Sequence, residues 1–241
     1  MVLRVLKKVI FTTLALSFFN EPSLLSQQLH NTWFRGTVEI PIKTKFSVDT
    51  ELQHRRQSAF NTTNFIGESL LVSYRNWIHY FHSPHIKFSV SPFAYLHHNG
   101  IVQLVGESPT KSIQEFRFSV AGELKQMVFT NFYLFNRFAS EYRVLNTINS
   151  DVIRFRNRLG INYALNSKVN FTMSNEFILN VRGSSFHNFF DQNRTAWSAD
   201  VMVFSNVKLE FGYIYLRRLP NHFLELVKEH NVFVNVSYRV K

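Results

Sequence analysis

Arginine and glutamate recur at even spacings through the middle of this chain. Glu115 and Arg117 are two apart, Arg137, Glu141 and Arg143 are four and two apart, and Arg154, Arg156 and Arg158 are two apart, with Glu176 following. A guanidinium fork matches the two oxygens of a carboxylate or phosphate, so such rows either pair internally or hold an anionic solute. On a β-strand, residues two and four apart share one face. Neighbouring strands lie about 4.8 Å apart, so rows of opposite sign on successive strands can meet. The favoured reading is a ladder of Arg–carboxylate pairs that stiffens a barrel wall. An electropositive pocket or pore for an anion is second.

Other reactive side chains form weaker patterns. His79, His82 and His85 follow at steps of three, with His97 and His98 beyond. Steps of three alternate between strand faces, so these imidazoles are not expected to share a metal. Ser184, Ser185, His187 and Asp191 place triad residue types in one polar stretch, but no G-x-S-x-G motif supports them. No catalytic residue, metal ligand or cofactor is assigned.

The elements that would carry these rows have a period of two. In 152–165, Ile153, Phe155, Leu159, Ile161, Tyr163 and Leu165 share one face, interrupted by Asn157, opposite Arg154, Arg156, Arg158, Gly160 and Asn162. Segments 45–55 and 115–125 alternate in the same way, and further candidates are 32–42, 64–81, 85–97, 129–145, 168–181, 194–203, 206–218 and 230–240. Short turns at Lys43-Thr44, Ser83-Pro84, Asn166-Ser167 and Ser205-Asn206 alternate with longer polar connections. This is the layout of an all-β, antiparallel, up-and-down transmembrane barrel, and the even count usual in bacteria gives about twelve strands, with ten as the alternative.

At the N-terminus, Arg4, Lys7 and Lys8 precede the uncharged run Val9–Phe19 and then the polar stretch Asn20–Ser26. This is a signal-peptide layout over 1–26, leaving a barrel over 27–241, and its apolar run is too short for a spanning helix of about 20 residues. The chain lacks cysteine, which excludes a disulfide scaffold and a lipid-modified N-terminal cysteine. Mean hydropathy is −0.10 with 45% hydrophobic and 16% aromatic residues, too polar for a helical membrane protein and too apolar for disorder. Long alternating strands with a charged face favour lipid outside and water inside, hence a bacterial outer membrane. Aromatics near strand ends, among them Trp33, Phe34, Trp77, Tyr80, Trp197, Tyr213, Tyr215 and Tyr238, are candidates for interface girdles. The net charge of +11 falls largely on faces assigned inward, so nucleic acid is not an expected partner. The expected partners are outer-membrane lipids, the barrel-assembly machinery during insertion and, for a scaffold, other envelope proteins.

The barrel hairpins resemble the family known as domain of unknown function 2490. The resemblance rests on Arg137, Glu141 and Arg143, on Arg154-x-Arg156-x-Arg158, on Asn193-Arg194 opening a late strand, and on Leu209-Glu210-Phe211-Gly212-Tyr213 on the next. It covers about residues 29–241 and implies an outer-membrane barrel with no assigned activity. One departure is the end Tyr238-Arg239-Val240-Lys241, where many outer-membrane barrels finish on an aromatic residue.

These readings fix faces and a function. Phe46, Val48, Phe116, Phe118, Phe155, Ile161, Phe171 and Val234 should face lipid; Glu51, Arg117, Arg154, Arg156 and Arg158 should face inward. The leading expectation is a structural barrel, not an enzyme, with a largely occluded lumen. A narrow anion-favouring pore and a lipid-modifying enzyme of phospholipase or deacylase type are the alternatives.

Overall fold

The computed structural model describes residues 28–58, 64–101, 111–146, 151–182, 189–219 and 226–241. The segment 1–26 and the loop residues Ser184, Ser185 and His187 lie outside these. Alternating side chains build eleven strands: β1 (Gln28–Lys43), β2 (Phe46–Gln57), β3 (Glu68–Ser83), β4 (Ile86–His98), β5 (Ile113–Phe129), β6 (Phe132–Leu145), β7 (Val152–Ala164), β8 (Val169–Arg182), β9 (Phe190–Phe204), β10 (Val207–Arg218) and β11 (Val227–Arg239). Each pairs with its sequence neighbours, and β1 closes on β11 to complete a barrel.

The all-β barrel of successive hairpins is as expected, but the strand count is not. Eleven strands stand among the described residues, in place of twelve or ten. Strand directions alternate along a meander, so an odd number leaves the first and last pointing the same way. They pair in parallel from Gln28↔Lys228 to Glu39↔Arg239. The first strand begins at Gln28, four residues before the expected start at Thr32. Across this seam Asn31 Nδ2 donates to Asn231 Oδ1 at 2.9 Å and to Glu229 Oε2 at 3.0 Å. The start of β1 therefore lies at the rim of the long connections (the loop rim), and the end of β11 at the rim of the short turns (the turn rim).

Two local devices keep the faces in register. At Pro92-Phe93 in β4, pairing with both β3 and β5 skips, and both residues are exposed. Proline has no N–H for a ladder, so a bulge is where a strand accepts it. The one extra residue shifts the parity, so that Ser89 and Ser91 before the bulge and Ala94 and Leu96 after it all face inward, each of them buried. The β5–β6 hairpin turns at Thr130-Asn131, with Asn131 at φ 64°, a left-handed conformation that asparagine tolerates well.

The outward face is apolar on every strand. Phe46, Phe116, Phe118, Phe155 and Phe171 are exposed, and Val48, Ile161 and Val234 are half-exposed. Asn157, the interruption on β7, donates to Asn136 Oδ1 at 3.2 Å, which pairs two outward amides with each other. Inside, small apolar clusters sit toward the loop rim: Leu29 with Val227, Trp33 with Leu216 and Phe233, and Leu71 with Ala94 and Leu96. Trp33 and Trp77 are not girdle residues; both are buried in the interior, 6% and 5% exposed, because their strand parity is that of Arg35 and Arg75.

Candidate functional site: a charged lumen

β5 to β9 deliver the glutamates and arginines to one stretch of the inner wall. Glu115 Oε1 accepts from Arg117 Nη2 and from Arg143 Nε, each at 2.6 Å, and its Oε2 lies 3.2 Å from His98 Nε2. Glu141 accepts from Arg154 Nη2 at 2.6 Å and Arg156 Nη1 at 2.8 Å, with Arg117 at 3.4 Å and Arg75 at 3.9 Å. Glu176 accepts from Arg156 at 2.8 Å and lies 3.6 Å from Arg194. Asp191 completes the set by pairing with Arg154 at 3.1 Å. Glu115 is 0% and Glu141 1% exposed. A carboxylate this deep is costly to bury alone, and several guanidinium forks converge on each.

Of the nine residues singled out from the sequence, seven therefore join one network: Glu115, Arg117, Glu141, Arg143, Arg154, Arg156 and Glu176. Arg137 and Arg158 stand apart from it. Neither forms an ion pair among the described residues; Arg137 lies over Trp77 at 5.2 Å and Arg158 over Phe135 at 5.8 Å. Phe135 can lie flat there because its neighbour across the strand pair is Gly160, where a Cβ would come within 2.5 Å of the ring.

Sequence reasoning did not single out Arg55, Arg75 or Arg194 as lumen charges, read Asp191 only as a loop residue, and placed Trp33 and Trp77 in a girdle. Arg55 covers Trp33 at 3.8 Å, and Arg194 approaches the same ring at 5.5 Å from β9, three strands away around the barrel. Arg75 to Glu141 and Trp77 to Arg137 likewise reach from β3 to β6. Strand parity alone could have put these side chains inward; their chords across the lumen come from barrel curvature.

Between the chords the interior keeps a cavity of about 1020 Å³. Its lining includes Gln57 and Asn99 at the loop rim and Asn170 and Lys208 near the turn rim. The volume is ample for ordered water, and the walls are polar enough to hold it.

The histidines divide as their spacing requires. His79 faces inward, whereas His85 sits at a turn with Nδ1 3.1 Å from the Lys125 carbonyl. His79 Nδ1 lies 2.7 Å from Ser89 Oγ and Nε2 lies 3.0 Å from Asp49 Oδ2, a serine–histidine–aspartate chain on three adjacent strands that no sequence spacing revealed. Ser89 is only 3% exposed and does not border the cavity. This chain ties β2, β3 and β4 together and offers its hydroxyl no route to a substrate.

An apolar exterior, a closed wall and a charged, polar-lined interior define an outer-membrane-type β-barrel. The chain belongs to the family described as protein of unknown function (DUF2490), whose profile matches residues 30–221. Among solved structures it is similar to the NanC porin in a rhombohedral crystal form, with a TM-score of 0.54 and 9% identity over 88% of this chain and 99% of that one. OmpT, an outer membrane protein of Vibrio cholerae folded in vitro, also matches, with a TM-score of 0.36 and 8% identity over 78% of this chain and 82% of that one. No curated protein matches the chain. At these identities the likeness concerns the fold.

Proposed function

We propose that this protein is a bacterial outer-membrane barrel, exported by a signal peptide over 1–26, that passes small anions through a narrow arginine-bordered lumen. The observation that carries this reading is the cavity of about 1020 Å³, whose lining extends from the loop rim to near the turn rim. The membrane setting is supported by the outward face: Phe34, Leu52, Val72, Phe88, Phe118, Phe138, Phe155, Phe177, Trp197, Phe211 and Val232 are all exposed, one on each strand. A soluble monomer rarely exposes a contiguous apolar patch beyond a few hundred Å². Anion preference follows from the excess of guanidinium over carboxylate in the network, where Arg75, Arg117, Arg143, Arg154, Arg156 and Arg194 face Glu115, Glu141, Glu176 and Asp191.

The purified protein in planar bilayers should give small, steady currents whose reversal potential in a salt gradient reports anion selectivity. Cation selectivity would reject this reading. Correctly inserted barrels that pass no current would favour the second reading, a scaffold barrel, which draws its support from the chords Arg75–Glu141 and Trp33–Arg194 that narrow the lumen.

A further inference from the structure

One row of inward side chains runs across six strands in continuous register: Lys87↔Glu123, Glu123↔Arg137, Arg137↔Arg158, Arg158↔Glu176 and Glu176↔Arg194. Its signs alternate except at the centre, where two arginines stand directly opposite each other. Like charges directly opposed across a strand pair repel. The carboxylates on either side are already engaged, Glu123 with Lys87 at 3.2 Å and Glu176 with Arg156 at 2.8 Å. Arg158 Nε is buried and has no hydrogen-bond partner.

The same barrel contains its own control. Arg117 and Arg143 also face each other across β5 and β6. There Glu115 lies between the two guanidinium groups and accepts from both at 2.6 Å. Arg137 and Arg158 are the equivalent pair without the bridging carboxylate. Their undersides rest on Trp77 and Phe135, which holds both forks in place, and Arg158 borders the lumen cavity.

We propose that Arg137 and Arg158 form a binding site for a small oxyanion, a carboxylate or phosphate that bridges the two guanidinium groups as Glu115 bridges the other pair. Planar oxygen pairs suit two forks through parallel N–H···O bonds, whereas a spherical halide cannot use the fork geometry. The site deepens the anion reading above, but binding is measured without conduction, so the two can fail separately.

The test is calorimetric titration of the folded full chain in detergent micelles with acetate, with inorganic phosphate and with chloride, at constant ionic strength. Saturable binding of acetate and phosphate is expected, with chloride at least tenfold weaker. In Arg137→Gln and in Arg158→Gln the oxyanion affinity should fall at least tenfold, while Arg158→Lys should retain binding but lose the preference over chloride. Both glutamine variants should still migrate as folded barrels in unboiled gels, because each removes one of two opposed charges. Absence of saturable oxyanion binding, equal response to chloride, or undiminished binding in the variants overturns the site. So does failure of both variants to fold, which would make the pair structural. A current that persists in a protein without oxyanion binding would sink the site and leave the pore reading standing.

Discussion

At the scale of single residues, the inner wall sorts its ionic groups by how many partners each has. Glu115 is fully buried and is shared by Arg117, Arg143 and His98. Removing one member of a buried set leaves the others uncompensated. Glu115→Gln should therefore destabilise the barrel by about 3 kcal/mol, read from denaturant unfolding in lipid vesicles. The Arg35–Glu51 contact, at 4.0 Å with the arginine 38% exposed, is the opposite case, and Glu51→Gln should cost under about 1 kcal/mol in the same assay. Gly160 acts through space rather than charge. A valine there would meet the Phe135 ring and the Met173 carbonyl, costing about 1–3 kcal/mol by overpacking and tilting the platform beneath Arg158. If Gly160→Val unfolds at the same denaturant concentration as the wild type, that close approach has no energetic consequence.

At the scale of strands, period-two alternation was enough to place most side chains. The arginine row of β7 and the phenylalanines of β5 fell on the expected faces, because a slip by one residue would invert every position. The bulge at Pro92-Phe93 shows how narrowly that parity is kept. Deleting Phe93 should remove the bulge and leave Ala94, Leu96 and His98 inward, with the heat-dependent mobility shift retained; loss of the shift would mean that Pro92 needs the bulge to be accommodated in β4. Phe118→Arg puts a guanidinium on the outward face and should cost about 2–4 kcal/mol in vesicles, well above a polar exchange at the inward Thr172. What alternation could not supply was anything that depends on closure. Trp33 and Trp77 read as girdle residues from their position near strand ends, yet Trp33 sits beneath Arg55 and Arg194 from two other strands and Trp77 beneath Arg75 of its own strand and Arg137 of β6. The Asp49–His79–Ser89 chain was equally hidden, since Asp49 and His79 lie on a diagonal set by register. The eleven alternating segments were themselves legible; the even-number rule moved the count to twelve, because whether the last strand meets the first is not a local property of either.

At the scale of the whole barrel, an interior of this size lies between those filled by side chains, near eight strands, and the open channels of sixteen or more. What remains open depends on the chords across the lumen. Replacing Arg154, Arg156 and Arg158 together with serine would strip Glu141 and Glu176 of their closest partners and widen the cavity on the β7 side. Single-channel current should rise severalfold and anion selectivity should fall; an unchanged current would place the limiting constriction elsewhere, at Trp33 between Arg55 and Arg194.

The parallel seam gives this ring of strands a sense of direction that an even-numbered meander lacks. Gln28 and Arg239 lie at opposite rims, so the chain enters on one side and leaves on the other. An epitope inserted directly before Gln28 and another appended after Lys241 would report opposite compartments in intact cells treated with an impermeant protease. Joining the two ends covalently would here require a linker that spans the full height of the barrel wall. The barrel is in this sense a one-way stitch, its first strand starting at one rim and its last strand finishing at the other.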